Sequence, residues 1–157
     1  MTQDHFNYLT LGISGTAFLV AAYSALQYRN ANIISKRALM LQEAALESQI
    51  TSTISTAAAE LREAMLKKGE ADPTAANFPF IEQNYKVAQE TWLNAHDQAC
   101  MSYLQNKLNQ DTFKRTYHVP IRQLVEKSEL QSFFNPADTS QFQSIIKVYR
   151  LWETSQR

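Results

Sequence analysis

His96, Asp97 and Cys100 make up an H-D-x-x-C cluster, the one place where residues suited to metal binding or thiol chemistry crowd together. On a helix His96 and Cys100 lie four apart and share a face. Zinc, however, needs three or four protein ligands, and the other histidines are the distant His5 and His118. Cys100, set between Ala99 and Met101, reads instead as a small buried residue, and no metal site is expected. Lys114, Arg115, His118 and Arg122 form a basic cluster. Three of them, Lys114, His118 and Arg122, fall at i, i+4 and i+8, a ridge able to hold a phosphate, an anionic headgroup or an acidic partner provided Pro120 keeps the register. A solvated polar face paired with Glu126 accounts for the same residues. No G-x-G-x-x-G, G-x-x-x-x-G-K, G-x-S-x-G or H-E-x-x-H occurs, so no phosphate cradle, nucleophile elbow or zinc helix is encoded. The expectation is a protein that is not an enzyme, with no catalytic residues, no metal and no cofactor.

The elements that carry these residues are helical. The chain has 157 residues with 3 Gly, 4 Pro and a single Cys, and no alternating apolar–polar run of useful length. That composition predicts an all-α fold. The lone cysteine excludes an internal disulfide and suits a reducing compartment. Lys plus Arg balance Asp plus Glu at 15 each, which removes the bulk basic field that nucleic acid would require. No nucleic-acid partner is expected.

Phe6 to Tyr28 contains no Asp, Glu, Lys or Arg. As a helix it would extend roughly 34 Å, enough to cross a hydrocarbon core of about 30 Å. It is too long, and lacks the basic flank, for an ordinary signal peptide, and it lacks the polar stripe of a buried core helix. The expected organisation is a short external tail over residues 1–5 and a transmembrane helix over 6–28. Arg29, Lys36 and Arg37 follow the span and no basic residue precedes it. The positive-inside rule then gives a single-pass inner-membrane protein with its N-terminus outside and its C-terminal domain cytoplasmic. Gly12, Thr16, Ala17, Ala21 and Ala25 make a small-residue face on which such helices could self-associate; a pore built through that face is the alternative role.

A helical connector is expected over residues 29–68. Its stripe of Leu46, Ile50, Ile54, Ala57, Leu61 and Met65 advances by 4, 4, 3, 4 and 4, close to an eleven-residue period that packs nearly straight or slightly right-handed. A stripe of this kind must be buried against a second copy, against the chain's own C-terminal helices or against another protein; a coiled-coil-like homo-oligomeric stalk is the favoured reading. Residues 69–79, with Gly69, Pro73 and Pro79, form the linker. A helical domain follows over 80–157, with a first helix from Phe80 to Leu108, a turn at Asn109 to Thr112 capped by Asp111, and a break at Pro120. A short helix over Ser128 to Phe134 and a last one capped by Thr139 or Ser140 complete it. Most of the rings lie in this half and can close a core. In YLQNKLNQDTFKRTYHVPIRQLVE and FQSIIKVYRLWE, following one span and a connector, the layout resembles small bacterial single-pass inner-membrane proteins with a helical cytoplasmic domain. The expected role is non-enzymatic: a membrane-anchored, self-associating helical module that presents its C-terminal bundle to a cytoplasmic protein partner.

Overall fold

The structure is a computed structural model; it describes the backbone of residues 3–154 and the side chains of residues 23–154. Helix α1 (Gln3–Glu70) is followed by α2 (Phe78–Leu104), α3 (Gln110–Glu126), a 3-10 turn (Ser128–Leu130), the single-turn α4 (Gln131–Phe134) and α5 (Gln143–Thr154). Among the described residues there is no strand, and the fold is all-α as the poverty in Gly and Pro predicts. Two compact units divide the chain, the first ending at Gln42 and the second running from Glu43.

Among the described residues no helix is long and apolar enough to cross a membrane. This overturns the single-pass inner-membrane placement, with its external N-terminus and cytoplasmic C-terminal domain. The described side chains of α1 begin at Tyr23, and from there Gln27, Arg29, Asn30, Asn32, Lys36 and Arg37 leave no apolar run of spanning length. The side chains of Phe6 to Ala22, including Gly12, Thr16, Ala17 and Ala21 of the small-residue face, lie outside the described residues; Ala25 is exposed. The pore alternative, which rested on the same segment, loses its basis.

The second unit closes around rings. Tyr103 of α2 stacks on Phe113 of α3 with centroids 5.2 Å apart and meets Trp152 of α5 edge-on at 5.3 Å. Trp152 Nε1–H donates to Tyr103 Oη at 3.0 Å, so the indole donor is satisfied inside the core. Leu93, Cys100, Ile121, Phe142, Ile145 and Val148 fill the remaining interior.

The connector stripe has its partner within this unit. Leu46, Ile50 and Ile54 pack half-buried against the core, and Ala57 is buried. Leu61 is half-buried, and Met65 stands exposed. Of the three ways to bury the stripe, the chain uses its own C-terminal core for Leu46, Ile50 and Ile54. Polar residues that dilute the stripe bond to their own helix, as Thr51 and Thr53 do to the carbonyls of Glu47 and Gln49, both at 2.9 Å. Glu47 also reaches across to accept from the Asn109 backbone N–H at 3.3 Å, tying α1 to the start of α3.

Several local boundaries fall elsewhere than the sequence suggests. Gly69 lies inside α1 rather than at its C-cap. Helix α2 ends at Leu104, and Asn106 adopts the left-handed conformation, φ 55°, that Asn tolerates after a helix end. The Lys107 N–H then donates to the Ser102 carbonyl at 3.1 Å. Leu108, past the helix end, is still buried. The cap of α3 is Asn109, whose side chain accepts from the Thr112 N–H at 2.9 Å, and Asp111 sits in the first turn. Pro120 does not break α3, which runs on to Glu126.

Ile50→Ala should lower the unfolding free energy of the full chain by about 1–2 kcal/mol, the cost of a half-buried aliphatic truncation. Urea titration checks it. The loss should be the same at all protein concentrations, because the stripe packs within one chain.

Candidate functional site

Helix α2 presents the H-D-x-x-C cluster, and the structure gives its three members separate tasks. Asp97 faces α5: its Oδ1 accepts from the backbone N–H groups of Ser144 and Ile145 at 2.8 and 3.0 Å. These belong to the first turn of α5, where helix donors lack intrahelical partners and the helix dipole favours a negative charge. A carboxylate 47 residues away in sequence thus acts as the cap of α5. Ser140 supplements it, its Oγ accepting from the Phe142 N–H at 3.1 Å and donating to the Phe133 carbonyl at 2.7 Å.

Cys100 is fully buried in the core. Burial, and then the nearby Asp97 carboxylate, push its thiol far above the ordinary range, so it stays protonated and unreactive. His96 is 4% exposed. Its Nδ1 lies 2.9 Å from the Trp92 carbonyl one turn earlier, a contact that requires the proton to sit on Nδ1. Burial holds the imidazolium form below the ordinary histidine range, partly offset by that hydrogen bond. Among the described residues no three His, Cys, Asp or Glu side chains gather as a metal would need.

The basic ridge keeps its helical register through Pro120 but does not stand clear. His118 turns toward α5, its Nε2 3.4 Å from Glu153 Oε1, with its ring edge-on to Trp152 at 5.6 Å. Arg122 bonds Glu126 through Nε at 3.1 and 3.3 Å, and the same carboxylate accepts from Tyr149 Oη at 3.0 Å. Those contacts raise the Arg122 and Tyr149 pKa values, Glu126 being the first cause in each. The ridge is therefore largely a polar seam between α3 and α5. Arg115 is exposed and Lys114 half-buried. Sequence could pair Arg122 with Glu126 by spacing, but Tyr149 and Glu153 sit on another helix and gave no such signal.

A cleft of about 220 Å³ opens between α2, α3 and the 3-10 turn. Trp92, Pro120, Leu124 and Leu130 wall it, Gln123 and Lys127 lie at it, and His96 contributes its ring. Trp92 and His96 meet edge-on with centroids 5.0 Å apart. The Lys127 ammonium is drawn to Glu129 at 2.7 Å. Nothing in the spacing of these residues announced the cleft, since they come from three elements.

Asp97→Ala strands two amide donors of α5 and should cost about 2 kcal/mol of stability, with Asp97→Asn costing less; thermal unfolding measures both. For His96 the folded pKa is depressed, so between it and the unfolded value of about 6.5 the unfolded chain binds the proton more readily. Its contribution is complete above about pH 6.5 and fades as the pH falls below it. Urea midpoints of the wild type should therefore drop from pH 7 toward pH 5 more steeply than those of His96→Gln.

Compared with known proteins, the chain matches no family model, no curated protein and no solved structure.

Proposed function

We propose that this chain is a non-enzymatic helical module that self-associates through the early part of α1 and presents its C-terminal bundle to a protein partner. One observation carries the reading. Ala31, Ile34, Ala38 and Leu41 recur at steps of 3, 4 and 3, the spacing of a two-helix seam. All four are exposed, Ile34 at 67% and Leu41 at 72%. Large aliphatic side chains in such a row are a recurring mark of protein–protein contact.

The chemistry-bearing residues support the same view from the other side. Asp97 caps a helix, the Cys100 thiol is sealed and neutral, and His118 and Arg122 are engaged in the α3–α5 seam. Each has a structural occupation that explains its presence. The stripe from Leu46 to Ile54 packs on its own bundle, so self-association through a stalk at that stripe gives way to the exposed row upstream.

Sedimentation of the full chain over a concentration series tests the reading. The wild type should form dimers or higher species, and Ile34→Glu with Leu41→Glu should weaken them at least tenfold while the far-ultraviolet helical signal of the bundle is retained. A wild-type chain that stays monomeric to about 100 µM overturns self-association.

A further inference from the structure

We infer that the cleft beside His96 is a binding site for a small flat aromatic molecule that carries an N–H or O–H donor, of the phenol or indole class. The inference is independent of the oligomeric reading, because every residue it uses belongs to the bundle.

His96 decides the chemistry. With Nδ1–H given to the Trp92 carbonyl, the neutral ring has one remaining polar atom, the lone pair of Nε2, which can only accept. No hydrogen bond to Nε2 is found among the described residues, although the side chain is 96% buried and borders the cleft. Among the described residues the sealed polar atoms without a hydrogen bond are His118 Nε2 and Glu153 Oε1, which face each other at 3.4 Å; His96 Nε2 is not one of the sealed atoms. The acceptor is thus open to whatever enters, and an unsatisfied group at this depth favours a ligand that can donate to it.

The walls decide the shape. Trp92 offers a ring, and Pro120, Leu124 and Leu130 offer apolar surface, the lining of small-molecule sites with few polar groups. A cavity of ~150 Å³ suffices for a benzene ring in a protein interior. The 220 Å³ here has room for one or two fused rings. The Lys127 ammonium lies 2.7 Å from Glu129 in an exposed ion pair, so the buried polar group that a ligand in the cleft meets is the His96 acceptor. A neutral donor fits.

Indole and 1-methylindole, equal in ring system and differing in the donor, test the assignment when titrated into the full chain and followed by two-dimensional amide NMR. Indole should shift Trp92, His96, Leu124 and Leu130 with saturation at millimolar concentration or below, and 1-methylindole should bind about tenfold more weakly, the worth of one hydrogen bond. His96→Phe keeps a ring and loses the acceptor, so the two ligands should become equivalent. Gln123→Trp, at an exposed position on the cleft, should block both without touching the core. If His96→Phe fails to fold, the wild-type ratio and Gln123→Trp still carry the test. Equal binding of the two indoles by the wild type, shifts away from the cleft, or no shift at about 5 mM indole overturns the inference.

Discussion

The Asp97 carboxylate at the head of α5 is the contact on which the bundle depends. Helix α5 has 12 residues, a length at which an isolated helix is marginal in water. Its stability must come from its apolar face and from satisfied termini. Ile145, Ile146, Val148 and Trp152 supply the face, and Asp97 supplies the terminus from the middle of α2. The same contact fixes where along α2 the helix α5 begins. It thereby sets Trp152 opposite Tyr103 about two turns later, where the indole donor finds its oxygen.

With α5 placed, the rest of the interior follows. Phe113 stacks on Tyr103 at 5.2 Å and lies 6.2 Å from the Trp152 ring, which brings α3 against both α2 and α5. The outer side of that α3–α5 contact is polar, and there His118, Arg122, Glu126, Tyr149 and Glu153 answer one another. Exposed pairs such as Arg122 with Glu126 add little to stability; of the ridge, His118 is turned to α5 and Arg122 is paired within α3, while Arg115 stays exposed. The stripe of α1 then covers the remaining apolar surface near Leu108 and Phe113, with Ile50 bordering a small groove beside them.

Much of this was legible in the residues. Scarcity of Gly and Pro announced helices, the ring-rich second half announced the core, and the 4-4-3 spacing from Leu46 to Ala57 marked a face that must be covered. Contacts at long sequence separation were not legible. Asp97 is visible as a member of H-D-x-x-C, but its partners at Ser144 and Ile145 are set by tertiary packing that no local spacing reveals. Pro120 and Gly69 misled for the opposite reason. Local propensity argues for a break at each; α1 runs one residue past Gly69 to Glu70, and α3 persists through Pro120 because packing of Ile121 and Leu124 in the core holds it together across a lost N–H. The run from Phe6 to Tyr28 suggested lipid by its lack of charge, a property that says what a segment avoids and not what surrounds it.

Cys100 gives the chain a built-in gauge of its own opening. It is the one thiol in 157 residues, it lies at 0% exposure amid the α2–α5 contact, and burial keeps it protonated. An alkylating reagent can reach it only when the packing around Cys100 opens, so the rate of modification follows the population of the open form when reclosing is fast and the opening rate when it is slow. A residue that looked like the beginning of a reactive centre is, by its sealing, a reporter of how firmly the bundle stays shut.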